Sequence, residues 1–311
     1  MARCHELGLS VPSACATPFL EMQPARNSFT PFRALKSLKL DMQGVWYTKQ
    51  SLDVLSMGID WAQMTDLHLM LDSGHMLTLD ECLCLLRQAR SLQRCSLNAI
   101  CLLSSEEQEE VSLDACRDLR LVLQGEVGLE AERSAVAFLS RINAPFLKTF
   151  QVEWFVPSPF PWDMEAEQAL WAPQHARFLS FLERSGKSLE TLRISHLPLA
   201  EAQLIQCIAV AKRVENLELK FSLGRDSNDP LSDRFFRRLG DRDVLLPNLR
   251  NLKLQCHGKA VTSANLDNLI RKRKLHNVSA FIGTKLSIHP STSAKWKSRQ
   301  TSVSLSFFTD F

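Results

Sequence analysis

The sequence predicts an α/β fold, an open horseshoe-shaped solenoid with parallel strands on its concave face and helices on its convex face. Two observations predict it. A short pattern, apolar-x-x-apolar-x-apolar, recurs nine times along the 311 residues. Segments with helical periodicity separate several of these copies, and an alternation of strand and helix is typical of parallel sheets.

The recurring pattern is well formed at residues 189–194, LETLRI, where Leu192 and Ile194 flank Arg193. Copies start at residues 35, 64, 92, 116, 147, 189, 214, 249 and, in a weaker form, 275. Six of the eight intervals are 24 to 31 residues long. Leucine-rich repeats, with the signature L-x-x-L-x-L, recur every 20 to 29 residues or about that. The pattern therefore predicts a leucine-rich-repeat domain at 31–311, preceded by an irregular extension at 1–30.

Segments between the strands have the spacing of amphipathic helices. TLDECLCLLRQAR, at 78–90, places apolar residues three and four apart, and Thr78 and Glu81 have the spacing of a capping box. The same pattern predicts helices at 199–213, 231–241 and 262–274, and the segment AEQALWAPQHARFLSFLERSG is also helical in character.

Three connections are predicted to be insertions into the repeats. The first, near 104–111, contains the acidic run SSEEQEE, and the second, near 155–165, is rich in proline and aromatic residues. The third, near 223–230, contains the turn cluster GRDSNDP. Repeat proteins accommodate such insertions in the loops between repeats.

The outward positions of the strands distinguish a solenoid from other parallel folds. A doubly wound sheet and a closed barrel cover both faces of each strand, so their strands are continuously apolar, whereas a horseshoe solenoid leaves one strand face in water. Of the 27 outward positions in the nine copies, 24 are polar or charged, and the exceptions are Met70, Val122 and Phe281. This alternation favours the open solenoid.

The segments LTLDECLCLLRQARSLQRCSL, FLERSGKSLETLRISHLPLAEAQLIQCI and LLPNLRNLKL together resemble the leucine-rich region of F-box proteins from mushroom-forming fungi. The resemblance covers roughly residues 31–280. It implies that the repeats select a substrate, and that an F-box docks the chain onto the Skp and cullin parts of a ubiquitin ligase. Residues 1–34 contain no L-P-x-E-like opening and no sustained helical stripe. We therefore expect the F-box to be missing, and a Skp-type adaptor to bind only if an F-box lies upstream.

The concave face is the predicted binding site, and its partner is expected to be a protein. Residues at equal repeat positions on adjacent strands should lie about 4.8 Å apart, which places Arg193, Glu218 and Lys253 in one row. Alternating charge along such a row is typical of exposed cross-strand pairs and also fits a partner-binding surface. The candidate contact residues are Asp66, Arg94 and Asp118, which form a second row, with His68, Met70, Arg193, Glu218, Lys220, Lys253 and Phe281.

Catalytic and metal-binding motifs are not found in the sequence. It contains no H-E-x-x-H, G-x-S-x-G, G-x-x-x-x-G-K or G-x-G-x-x-G motif. Cys82 and Cys84 lie two apart on a predicted helix, where they point in different directions, so they are interpreted as structural thiols. The sequence therefore predicts a protein that is not an enzyme and that has no metal site and no cofactor.

Charge and cysteine content bear on partners and compartment. Nine cysteines without regular spacing indicate a reducing compartment, and no segment has the length and apolar character of a membrane span, so a cytoplasmic or nuclear protein without membrane contact is expected. A net charge of +3 makes nucleic acid an unlikely partner. The alternative is a nucleic-acid-associated protein that uses the basic segment 271–299, in which RKRK also fits an import signal or the solvated end of a helix. Its cations are Arg271, Lys272, Arg273, Lys274, Lys285, Lys295, Lys297 and Arg299.

Overall fold

Each of the nine copies of the apolar pattern lies on a strand that pairs in parallel with a neighbouring strand, and each strand begins two residues after the copy starts. The structure is a computed structural model. It describes residues 4–12, 32, 34–43, 54–104, 109–125, 130–155, 164–221, 230–241, 245–258, 260–282 and 302–307. The α/β class and the parallel direction of the strands are confirmed.

The chain divides into two compact units. Unit 1 comprises residues 1–147 with 155–157, and unit 2 comprises residues 148–154 with 158–311. The predicted insertion at 223–230 lies outside the described residues except for residue 230, as do half of 104–111 and most of 155–165.

Unit 1 contains a parallel sheet in which the strands pair in chain order. The pairs are β1 (Glu6–Pro12) with β2 (Ser37–Gln43), β2 with β3 (Asp66–Met70), β3 with β5 (Arg94–Ile100), and β5 with β7 (Asp118–Gln124). The short β4 (Leu77–Thr78) pairs with the end of β5, and β6 (Val111–Ser112) pairs with β8 (Ile142–Asn143).

Strand β1 corrects the prediction that residues 1–30 form an irregular extension. Leu7 and Leu9 face the same way as Leu38 and Leu40 on β2, with which they are in register. Apolar and polar residues alternate along 6–12 as they do in the repeats. This stretch lacks the full repeat signature, so the sequence did not predict a strand here.

Two helices belong to unit 1. Helix α1 (Leu79–Gln88) begins with the predicted capping box: the Glu81 backbone N–H donates to Thr78 Oγ1, and the Thr78 backbone N–H donates to Glu81 Oε2 at 2.7 Å. Helix α2 (Ala131–Ser140) was not predicted, although its apolar residues are buried. The apolar residues of α1, which include Cys82, are buried, so this helix turns its apolar stripe toward the core of unit 1.

Unit 2 contains a second run of parallel strands, again paired in chain order. They are β9 (Thr149–Phe155), β10 (Thr191–Ser195), β11 (Asn216–Lys220), β12 (Asn251–Cys256), β13 (Asn277–Ile282) and β14 (Ser302–Phe307). Its helices are α3 (Met164–Trp171), α4 (His175–Ser185), α5 (Glu201–Val210), α6 (Asp233–Gly240) and α7 (Ser263–Arg273). All of these helices were predicted.

The core of unit 2 lies between the apolar side of its strands and its helices. The rings of Phe150 on β9 and Phe181 on α4 are 5.0 Å apart, and those of Trp154 on β9 and Trp171 on α3 are 5.5 Å apart. Leu192, Leu217, Leu252 and Val278 form one buried row across β10 to β13. The other side of these strands is therefore left for polar residues.

In the parts of the chain that the structure describes, no helix is both long enough and apolar enough to cross a membrane.

Candidate functional site

The outward positions of β10 to β13 form the polar face of unit 2. Because side chains alternate along a strand, every second residue points away from the buried leucine row. Apart from Ser195 at the end of β10, which is buried, the residues at these positions are half-buried or exposed. They are Thr191, Arg193, Asn216, Glu218, Lys220, Asn251, Lys253, Gln255, Asn277, Ser279 and Phe281.

The charged row predicted on this face is confirmed. Arg193 is in register with Glu218, and Glu218 with Lys253. The Glu218 carboxylate lies 3.4 Å from Arg193 Nε, 3.1 Å from Lys253 Nζ and 3.0 Å from Lys220 Nζ. Lys220, which is two residues along the same strand, therefore joins the row. One carboxylate holds three cations in a single cluster.

Two opposing effects act on the pKa of Glu218. Burial by itself raises it, since a charged carboxylate loses contact with water. Hydrogen bonds from Lys220 and Lys253, together with their positive charges, favour the ionised form. The second effect is the larger, so the pKa of Glu218 lies below its ordinary value, and the carboxylate is ionised at neutral pH.

A ladder of side-chain amides, which was not predicted from the sequence, runs beside the charged row. Asn277 Nδ2 donates to Asn251 Oδ1 at 2.6 Å, Asn251 Nδ2 donates to Asn216 Oδ1 at 2.6 Å, and Asn216 Nδ2 donates to Thr191 Oγ1 at 3.1 Å. The sequence did contain a signal for it. Asn216, Asn251 and Asn277 each occupy the third position of their repeat copy. When equal repeat positions are in register, these three side chains lie next to one another.

A pocket of 520 Å³ opens on the polar face of unit 2. The amide ladder lines it together with Arg193, Glu218 and Lys253 of the charged row and three residues of the buried row. The lining residues are Thr191, Arg193, Asn216, Leu217, Glu218, Asn251, Leu252, Lys253, Asn277, Val278 and Ser279. Its volume is in the range of small-molecule sites, about 300 to 1,000 Å³.

Two more of the predicted contact residues lie on this face, beyond the pocket. Lys220 is in register with Gln255, and Gln255 with Phe281. Phe281 is half-buried. The structure therefore brings together Arg193, Glu218, Lys220 and Lys253, and it places Phe281 in the neighbouring row.

The remaining predicted contact residues lie in unit 1. Arg94 is in register with Asp66 and with Asp118, and its guanidinium forms an ion pair with the Asp66 carboxylate. The predicted second row is thus confirmed in register. Met70 follows at the end of β3 and is half-buried.

His68 lies on the same side of the unit 1 strands, among charged residues. Burial lowers the pKa of His68, and the positive charges of Lys39 and Arg120 lower it further, against the opposing effect of Asp41. The imidazole is therefore neutral at pH 7. It adds no positive charge to this side of unit 1.

The basic run RKRK does not form a continuous solvated patch. Arg273 is 2% exposed, and its guanidinium donates to the backbone carbonyls of Leu239, Asp241, Leu245 and Leu246. Arg271, Lys272 and Lys274 are exposed. The other cations of the basic segment, at 285, 295, 297 and 299, lie outside the described residues.

Six of the eight cysteines in the described ranges are packing residues. Cys82, Cys95, Cys101, Cys116, Cys207 and Cys256 are buried free thiols. Burial raises the pKa of Cys116 and of Cys207 to about 12, so neither is a thiolate at neutral pH. Within the described ranges, no group of three or more His, Cys, Asp or Glu side chains is arranged to hold a metal ion.

Comparison with known proteins adds no assignment. No protein-family model matches the chain, and no curated protein matches it at a significant level. The polar face of unit 2 and the pocket on it are therefore the features from which a function can be inferred.

Proposed function

We propose that this chain is a protein-interaction module that binds its partner through the polar face of unit 2. The observation that carries the proposal is the pocket of 520 Å³ that the amide ladder and the charged row line together. Four adjacent strands contribute equivalent residues to it, so the polar side chains form continuous rows. Extended surfaces of this kind are what repeat proteins use to bind other proteins.

The proposal includes the repeat architecture itself. We infer a leucine-rich-repeat solenoid with the strands on its concave face and the helices on its convex face. Two facts support it: all nine sequence copies coincide with parallel strands, and equivalent repeat positions are in register in every strand pair from β9 to β13. The proposed role is binding, without catalysis.

The family resemblance suggests a more specific role, substrate recognition within an F-box and cullin ubiquitin ligase. Under that proposal the polar face of unit 2 selects the substrate, and an F-box supplies attachment to the ligase. Residues 1–34 do not carry the F-box pattern, so the 311-residue chain is expected not to form a complex with a Skp-type adaptor. Co-expression followed by size-exclusion chromatography measures this, and a stoichiometric complex would contradict the expectation.

A peptide-selection experiment tests binding at the polar face. Random peptides displayed on phage are selected against the purified chain, and the enriched peptides are then measured against two variants. Ser279→Trp fills the pocket from an exposed position on β13, whereas Ala202→Trp adds the same bulk at an exposed position on α5. We expect Ser279→Trp to lose the selected peptides and Ala202→Trp to keep them. Equal retention by both variants, or no enrichment at all, would refute the proposal.

A further inference from the structure

We propose that the polar face of unit 2 is specific for an acidic, extended peptide segment of its partner. This inference rests on the proposed function, because it names the chemistry of the partner at the same face. Three features of the pocket support it: the arrangement of the charges, the hydrogen-bonding groups of the amide ladder, and the width of the face.

The charges on the face are arranged so that the cations are outermost. The Glu218 side chain is 14% exposed, whereas those of Arg193, Lys253 and Lys220 are 46%, 56% and 32% exposed. Three positive groups therefore surround one negative group that is largely covered, which leaves a net charge of +2 in the cluster. An approaching partner meets positive charge first, and complementary carboxylates would be attracted to it.

The amide ladder supplies groups that complement a peptide backbone. Each carboxamide has two N–H donors and an acceptor oxygen. In the ladder, Asn216, Asn251 and Asn277 each donate one N–H to the next strand, so a second N–H remains on each. A peptide group also carries a donor and an acceptor. A row of such amides beside the cations can therefore bind main chain while the cations bind side chains.

The width of the face fits a short extended segment. Adjacent strands lie about 4.8 Å apart, so the distance from β10 to β13 is about 14 Å, which four residues of extended chain span. In an extended chain, side chains two residues apart point the same way and are about 6.8 Å apart. The flexible side chains of Arg193 and Lys253, two strands apart, can each reach one of two such carboxylates.

Nucleic acid fits the pocket less well than an acidic peptide. The described residues that line the pocket include no aromatic side chain on which a base could stack. The Glu218 carboxylate at the centre of the row would repel phosphates that follow one another along a backbone. Two separated carboxylates can instead bind on either side of it.

A binding titration tests the inference directly. The probe is a fluorescein-labelled octapeptide of alternating Glu and Ser, titrated with the full chain and followed by fluorescence anisotropy at low ionic strength. The matched probes are the same peptide with Gln in place of Glu, the same peptide with Lys in place of Glu, and a labelled oligo-dT. We expect the Glu peptide to bind most tightly, with an affinity that falls as salt is added.

Charge removal at the pocket supplies the matched variants. We expect the double variant Arg193→Gln and Lys253→Gln to bind the Glu peptide about tenfold more weakly or worse, whereas Lys272→Gln, at an exposed site on α7, keeps the wild-type affinity. All three positions are exposed, and circular dichroism checks that the variants are folded. No binding of the Glu peptide, equal binding of the Gln peptide, or full retention by the double variant would overturn the inference. If oligo-dT binds more tightly than the Glu peptide, the inferred partner would be a nucleic acid and not an acidic peptide.

The inference and the proposed function can fail separately. If the phage-selected peptides are neutral yet depend on the pocket, as shown by their loss in Ser279→Trp, the face binds protein but not acidic protein. If the Glu peptide binds Ser279→Trp as well as it binds the wild type, the acidic peptide binds elsewhere and the inference fails, whereas the proposed function is still decided by whether the phage-selected peptides are lost in Ser279→Trp.

Discussion

Glu218 determines how the cations of the polar face of unit 2 are arranged. Its carboxylate is within 3.4 Å of one nitrogen on each of three cationic side chains. Exposed ion pairs contribute little stability, about 0 to 1 kcal/mol each. A network around one half-buried carboxylate restrains the cations more effectively than separate pairs would, and this arrangement gives the face its positive surface.

The contribution of Glu218 to stability should depend on pH. Its pKa in the folded chain is lowered, so the folded state favours the ionised form. The stabilisation is fully present above the ordinary pKa of a glutamate and is lost as the pH falls through the lowered value. We expect the difference in free energy of unfolding between wild type and Glu218→Gln to be constant near neutral pH and to shrink on acidification. Urea denaturation from about pH 7 to pH 3 measures it.

A control separates this effect from the substitution itself. Glu183→Gln makes the same chemical change at an exposed position on α4. A wild-type advantage over Glu218→Gln that stayed unchanged below pH 4 or thereabouts would contradict the assigned role of the carboxylate.

Arg273 is a structural residue, and its replacement should be costly. Its guanidinium donates to four backbone carbonyls near the end of α6 and in the connection that follows. Buried acceptors left without a donor cost about 1 to 3 kcal/mol each. We expect Arg273→Met to lower the free energy of unfolding by about 3 kcal/mol or more, measured by chemical denaturation. The neighbouring Lys272 is exposed, so Lys272→Met should keep the free energy of unfolding within about 0.5 kcal/mol of the wild-type value.

Strands β10 to β13 act as repeated elements in which two buried rows alternate with outward rows. The parallel register places Leu192, Leu217 and Leu252 side by side, and the same register aligns Asn216, Asn251 and Asn277 on the opposite side. One alignment therefore determines both the core and the polar face of unit 2. A shift of one residue in the register of a strand would exchange its buried and exposed side chains.

Replacing the central leucine of the buried row tests how much this row stabilises the strands. Leu217 is 2% exposed and lies between Leu192 and Leu252. Replacing a buried leucine by alanine costs about 2 to 5 kcal/mol, because contacts are lost and a cavity remains. We expect Leu217→Ala to lower the free energy of unfolding by that amount, measured by thermal or chemical denaturation. Arg213→Ala, at an exposed position before β11, is the control, and equal stability of the two variants would contradict the observed burial.

The two compact units each have a core that contains free cysteines. Cys82, Cys95, Cys101 and Cys116 are buried in unit 1, and Cys207 and Cys256 are buried in unit 2. Thiols at these depths act as small apolar side chains. They also provide a probe of whether each core is closed.

Thiol labelling should therefore follow unfolding. In native buffer at about pH 8, burial shields the six buried thiols from iodoacetamide, and the raised pKa values of Cys82, Cys95, Cys101, Cys116 and Cys207 also keep those five protonated. Iodoacetamide should therefore modify Cys4 and Cys84, which are exposed and half-buried, far faster than the six buried thiols. In urea, the buried thiols of one unit should become reactive together, because a packed core opens as a cooperative unit. Peptide mapping by mass spectrometry identifies the modified residues. Rapid native labelling of Cys116 or Cys207 would contradict the assigned burial.

The polar rows differ in how far sequence patterns could predict them. The alignment of Arg193, Glu218 and Lys253 followed from equal repeat positions, because the spacing of strands in a sheet is regular. Their joint contact with Lys220 did not follow, since it depends on how four long side chains share one carboxylate. The amide ladder could not be predicted without the orientation of the carboxamides, which is the same across three strand pairs.

The parallel strands, their register and the helices between them were predictable because local periodicity records which residues are buried. The burial of Arg273 was not predictable, because its hydrogen-bond partners lie 27 to 34 residues earlier in the chain. The pattern RKRK is the same for a buried and a solvated arginine. Strand β1 and helix α2 carry only part of the repeat pattern, and they gain their stability from neighbours that are distant in sequence. Local pattern thus specified the repeating elements, whereas long-range packing decided which polar groups are buried and which line the pocket.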